Sequence, residues 1–260
     1  MGSDEDSGAG GRRDGLPPGA GRDKPALDEL RRRIAAIPGR GEAAAEPIPL
    51  AAELRREALA VPPALAELLP EGGLVKGSVV AYAGASSLLA GLLAAVTEGG
   101  GHAAVVGLPR LGLLAAVEMG AQLQRLAVVA DPGPDPVEVA AVLLDGLDLV
   151  VLGLDGATVA PARTRVIAAR ARNKGATLVV TDGGWPNPAL RLDTRIAGYS
   201  GLGAGRGRLR SVSLEVLVRG KAGPPRHGRI ELRPSASRVE WVSLETAVNE
   251  ATADAREAAS

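Results

Sequence analysis

The sequence contains no cysteine and no phenylalanine, and it has only two residues each of histidine, tryptophan, tyrosine and methionine. Without cysteine there is no disulfide scaffold, no thiolate metal site and no cysteine nucleophile. With His102 and His227 alone, a histidine-rich metal centre is not expected, and no metal or cofactor is assigned from the residues. Charge of one sign is also missing: thirty basic and thirty acidic residues cancel, so only local clustering can speak for a polyanionic partner. The opening "MGSDEDSGAGGRRDG" has no apolar h-region, so no secretory signal is expected and a cytoplasmic protein is the default. One uncharged run, Ser78 to Thr97, is about long enough to cross a bilayer. Gly84, Ser86 and Ser87 interrupt it and no aromatic or basic anchors flank it, so it is read as strand plus helix, with no membrane partner.

What is present is an apolar complement of 46%, made almost entirely of Ala, Leu and Val, in a 260-residue chain. That suits closely packed helices on a sheet. Residues 1–24, rich in Gly, Pro and charge, are expected to be disordered. Residues 25–68 read as an N-terminal helical segment and linker, in which Leu27, Leu30, Ile34 and Ile37 share one helical face and form a candidate partner surface. From 69 to 245 a single core is expected. Its first part alternates short apolar runs ("SVVAYA", "HAAVVG", "LAVVA", "DLVVLGL", "TLVVTD") with helix-like stretches at 88–96, 111–121, 136–144 and 162–174, the pattern of a parallel sheet covered on both faces. Past Arg208 the segments "RLRSVSLEVLVRG", "HGRIELRP" and "SRVEWVSLE" alternate apolar with polar residues, as antiparallel strands do. Residues 246–260 read as a weakly helical tail.

The run "GSVVAYAGASSLLAGLLAAV", Gly77 to Val96, begins as a buried strand that turns through Gly84 into a helix, the geometry of a phosphate-binding loop. A working P-loop also needs a second glycine, a lysine for the β- and γ-phosphates and a hydroxyl for magnesium. Here Leu88 and Leu89 stand where Gly and Lys belong, and only the hydroxyls of Ser86 and Ser87 remain. Gly84, Ser86 and Ser87 are therefore a degenerate nucleotide-binding candidate.

The order of segments from Gly101 to Leu154, with "EMGAQLQRLAVV" and "LDLVVLGL", resembles the central portion of the RecA recombinase fold. The resemblance implies an α/β, RecA-like, mostly parallel sheet flanked by helices, with antiparallel strands on its C-terminal side. It would place the activating glutamate near Leu108 and the Walker B aspartate at Gly153, so neither carboxylate is present. Base, metal handle and phosphate clamp are all lost, and no enzymatic activity is expected. Asp155 and Asp182, near strand ends, are read as loop caps.

A closer likeness lies in "GASSLLAGLLA", "AVVGLPRLGLLAAVEMGAQLQRLAVVADPG" and "GYSGLGAGRGRLRSVSLEVLVRG". These resemble the RecA-like accessory proteins of the actinobacterial mutasome, the ImuA-prime type. That resemblance implies a non-catalytic adaptor in DNA damage tolerance, working with an inactive Y-family polymerase homologue and an error-prone replicative-type polymerase. The alternative is a divergent nucleotide-binding RecA-type ATPase in recombination or repair, and a third reading is an inhibitory protein that caps a polymer of another RecA-like or division protein.

One cluster of charge does stand out. The stretch from Gly183 to Arg210, expected as a long loop, carries Arg191, Arg195, Arg206, Arg208 and Arg210 against Asp193 alone, and is the DNA-binding candidate. Trp185 and Tyr199 are expected as half-buried anchors, with base stacking as the alternative. The arginines of the 162–174 helix are expected to lie on a solvated face.

Overall fold

Continuous apolar runs of four or five residues form strands here because they are buried on both faces, and each is followed by a helix that supplies the cover. The computed structural model describes residues 57–203, 206–235 and 238–245. All of them belong to the second of the chain's two compact units, Ala51–Ser260; the first, Met1–Leu50, contains none. The expected disordered segment, the Leu27, Leu30, Ile34 and Ile37 face and the 246–260 tail therefore lie outside the described residues.

Strands β1 (Ala58–Leu59) and β2 (Leu74–Val75) pair antiparallel around the single turn α1 (Pro63–Ala66). The alternating part follows: β3 (Val79–Ala83), α2 (Ser86–Glu98), β4 (Ala103–Val106), α3 (Leu113–Glu118), a 3-10 turn (Leu123–Arg125), β5 (Leu126–Val129), α4 (Pro136–Leu143), β6 (Leu149–Gly153), α5 (Pro161–Lys174) and β7 (Thr177–Thr181). Four longer strands close the fold: β8 (Leu190–Gly203), β9 (Arg206–Gly220), β10 (Arg226–Ser235) and β11 (Arg238–Glu245). Among the described residues nine strands form one sheet in the order β11-β10-β9-β8-β3-β7-β6-β4-β5, parallel from β8 through β5 and antiparallel from β8 to β11. The mixed sheet matches the expected fold class.

Alternate residues of the strands feed two cores. On one face Val80, Val105, Val151, Leu192 and Leu214 pack with α1, α2 and Trp241 of β11. On the other, Val79, Val150, Leu152 and Leu178 meet α4, α5 and Trp185. Leu59, Val61, Leu65 and Leu68 join the first core, so the core begins about ten residues before the expected boundary at 69. The run Ser78 to Thr97 is β3 plus the buried helix α2, and among the described residues no helix is long and apolar enough to cross a membrane.

The arginines of α5 are not simply solvated. Arg163 Nη2 donates to both carboxylate oxygens of Asp135, the residue that caps α4 through the Glu138 N–H. Arg170 forms a two-point pair with Asp145 just beyond the other end of α4, at 2.9 and 2.6 Å. Two guanidinium–carboxylate pairs, one of them a two-nitrogen fork, thus tie the helices side by side.

The stretch expected as a loop from Gly183 to Arg210 is corrected by the structure: from Leu190 on it is β8 and the start of β9. Leu192 is buried while Arg191 and Arg195 are exposed, the alternation of a strand with one wet face. The glycines that suggest a loop instead sit where the pairing register shifts, between Ile196 and Gly198 and between Ser200 and Leu202, where bulges tighten the twist.

Candidate functional site

In open α/β sheets ligands bind at the carboxyl ends of the parallel strands, so the turn after β3 is the place to look. Strand β3 ends at Ala83 and α2 begins at Ser86, leaving only Gly84 and Ala85 between them. A phosphate cradle is built from a longer run of backbone N–H groups than this. Space is missing as well. Gly84 sits at φ +114°, and a Cβ placed on it would lie 1.9 Å from the backbone oxygen of Thr194 and 2.4 Å from its Oγ1. Thr194 reaches this spot because β8 pairs in parallel with β3 over Leu190 to Asp193, which carries the next residue past the end of β3.

The Thr194 hydroxyl uses the turn's polar groups. It accepts the Ala85 N–H at 2.8 Å, donates to the Ala83 carbonyl at 3.2 Å and lies 3.0 Å from the Tyr82 phenol oxygen. The Tyr82 phenol in turn donates to the Ala85 carbonyl at 2.5 Å. Tyr82 is only 4% exposed, and burial pushes its phenol far above the usual tyrosine value, so it stays a neutral donor. The groups that would meet an anion here are turned onto one another.

The other candidate positions are filled in the same way. Leu88 and Leu89, standing for the glycine and lysine of a P-loop, are 0% and 3% exposed and lie in the first core. Each such burial contributes roughly 2 kcal/mol to folding, where a lysine would have to be desolvated. At the end of β6, a Cβ on Gly153 would meet Leu108 Cδ2 at 2.6 Å and the Gly107 carbonyl at 2.7 Å. The two positions where a RecA-type resemblance puts catalytic carboxylates are therefore in contact, one as an apolar side chain, the other as the gap it fills. Asp155 and Asp182 both hold left-handed backbones, φ 46° and 54°, and are tied by the Gly156 N–H to the Asp182 carbonyl at 2.6 Å. Both therefore sit in turns, in a backbone conformation that aspartate tolerates. Among the described residues no group of three or more His, Asp or Glu side chains is placed to hold a metal.

Ser86 is exposed and Ser87 half-buried in the first turn of α2, so with Gly84 they do share one corner, but the corner is a closed turn. A cleft of about 1190 Å³ lies elsewhere, at the starting ends of β3 and β8 beside α5. The DNA-binding candidates divide. Arg195 is paired with Glu215, which also takes Arg229; Arg191, Arg208 and Arg210 are exposed on the strands; Arg206 opens β9. Trp185 is fully buried and Tyr199 is 56% exposed, so neither is the half-buried anchor expected. Sequence reading missed Tyr82 and Thr194, which are 112 residues apart and meet only through the β3–β8 register.

A family model described as the MT3502 N-terminal domain matches residues 67–187. The chain is also similar to "Uncharacterized protein Rv3395c" of Mycobacterium tuberculosis, with 54% identity over 164 residues, 60% of this chain and 80% of that one.

Proposed function

Since the chain belongs to the same family as that mycobacterial protein, we propose that family members of this kind are catalytically silent, RecA-like adaptors in DNA damage tolerance. On this reading the protein bridges an inactive Y-family polymerase homologue and an error-prone replicative-type polymerase in the cytoplasm. The observation that carries the non-catalytic part is the closed Gly84 turn, where Thr194 takes the space and the backbone hydrogen bonds that a phosphate would need. The strand order supports the RecA-type part: β3, the first of the parallel strands in sequence, lies between the fifth and sixth, β7 and β8, an arrangement different from the doubly wound dinucleotide-binding order.

An adaptor needs a surface for proteins. Among the described residues β5 is an unpaired sheet edge, and Leu114, Val117, Leu123 and Val128 on α3, the 3-10 turn and β5 are all at least 40% exposed. The pathway assignment rests on the segment-level resemblance to mutasome accessory proteins, and fold alone would not license it.

The divergent ATPase reading keeps only the hydroxyls of Ser86 and Ser87 in its favour. One experiment separates the two: magnesium and labelled ATP with the full chain, alongside Ser86→Ala and Ser87→Ala. No turnover and no saturable binding are expected; turnover abolished by those changes would establish the ATPase. Co-purification with the polymerase homologue tests the adaptor role, and failure to form a complex at micromolar concentration would end it.

A further inference from the structure

The hairpin of β8 and β9 is longer than the sheet it belongs to. Strand β3 pairs with β8 only as far as Asp193, and β10 pairs with β9 only from Val212 to Val218. Residues 200–203 and 206–211 therefore pair only with each other, beyond the β3–β8 and β9–β10 pairings, as a two-stranded arm with Tyr199 at its base. Its base is fixed by a polar chain: Ser200 and Ser211 share a hydrogen bond at 2.6 Å, and Ser211 Oγ donates to Glu231 of β10.

The arm has an unusual charge. Between Asp193 and Glu215 there is no acidic residue, while Arg195, Arg206, Arg208 and Arg210 lie in that interval. Glu215 is already taken by Arg195 and Arg229. From 190 to 245 the sequence holds eleven Lys and Arg against five Asp and Glu, although the whole chain is neutral. Arg208, Leu209 and Arg210 lie in the bulge of β9 between Gly207 and Ser211, opposite Gly201, and Tyr199 pairs with Val212 just inside it. Tyr199, Arg208, Leu209 and Arg210 are all exposed. The bulged end of the hairpin thus presents two exposed guanidinium groups near an open phenol ring.

We propose that this arm is a single-stranded nucleic-acid contact, with Arg208 and Arg210 on backbone phosphates and Tyr199 stacked on a base. A basic ribbon with an exposed aromatic ring is the combination that holds single strands without reading sequence. This goes beyond the adaptor reading and uses none of the surfaces that reading invokes. The connection between β7 and β8 takes no part, since Trp185 within it is buried.

The test is fluorescence anisotropy of the full chain with labelled oligodeoxythymidine of about 20 nucleotides, longer than the roughly 4–16 a compact site covers. Salt is varied between about 50 and 200 mM, where phosphate contacts are strongly weakened. Arg208→Ala with Arg210→Ala should weaken binding about tenfold and lower the logarithmic salt slope by about 1.4, the loss of two single-strand phosphate contacts. Tyr199→Ala should weaken it about fivefold with the salt slope unchanged, and Tyr199→Phe should bind like the parent. Arg165→Ala with Arg172→Ala, exposed cations of α5, should change nothing. Unchanged melting temperatures keep folding out of the comparison. Absence of binding at 50 mM salt, equal loss from the α5 pair, or preference for a duplex of the same length would each overturn the proposal.

Discussion

Whether the strand-end corner can be reopened is decided by single atoms. At Gly84 any side chain meets backbone as well as the Thr194 hydroxyl, and the φ of +114° adds strain that L-residues rarely tolerate. Gly84→Ala is expected to cost about 3 kcal/mol, a sum of backbone strain and overpacking, measured as a shift of the urea midpoint. Thr194→Val keeps the shape but orphans the Ala85 N–H, for about 1–2 kcal/mol, and does not create a phosphate site because the turn stays two residues long. Placing a carboxylate at Gly153 gives the sharpest result. Gly153→Asp drives a charged group into Leu108 and the Gly107 carbonyl, so the chain should lose more than about 2 kcal/mol and still show no magnesium-dependent turnover. Gain of turnover in that variant would mean the centre is dormant, not filled.

Among the elements, helix α2 shows how a local rule is reversed by its neighbour. A glycine in mid-helix is ordinarily improved by alanine, by about 1 kcal/mol. Gly91 is different, because a Cβ there would lie 2.6 Å from Nε1 of Trp241, a rigid ring that is itself only 5% exposed. Among the described residues that indole N–H has no hydrogen-bond partner. Gly91→Ala should therefore destabilise by about 1–2 kcal/mol, yet be neutral or favourable once Trp241→Phe has removed the clashing atom. A double-mutant cycle in urea reads this coupling, and simple additivity would refute it. The same contrast marks what was legible in the sequence. Strands β3, β4, β6 and β7 and helices α2, α4 and α5 announced themselves because continuous apolar runs and helical stretches are local signals. The β8–β9 arm did not, since its glycines read as a loop and only pairing across the hairpin makes it a strand. The missing lysine and carboxylates of the corner were visible as absences; Thr194 and Tyr82, which close it, came from a contact across 112 residues.

For the molecule as a whole, the dependence of stability on pH follows from a few groups on its two sides. Hydrogen bonds from Arg163, Arg170 and Arg195 hold Asp135, Asp145 and Glu215 below the usual carboxylate range. A lowered folded pKa means the stabilising contribution is complete above the unfolded value, near 4, and is lost as pH falls through the lower folded value. These pairs are open to solvent, so Asp145→Asn should flatten the acid limb of the stability curve slightly, and less so in high salt. Tyr82 acts at the opposite end. Its phenol is pushed upward by burial, so its contribution is complete below the unfolded value near 10 and is lost as pH rises beyond it. Tyr82→Phe should cost about 1 kcal/mol at neutral pH, the net worth of its hydrogen bonds at the Gly84 turn. Above about pH 10 the parent should lose stability steeply while the variant does not, so that the two curves converge or cross. Urea midpoints at neutral and alkaline pH measure this directly; parallel curves would show that the phenol is not sealed, and with it that the corner is open to water after all.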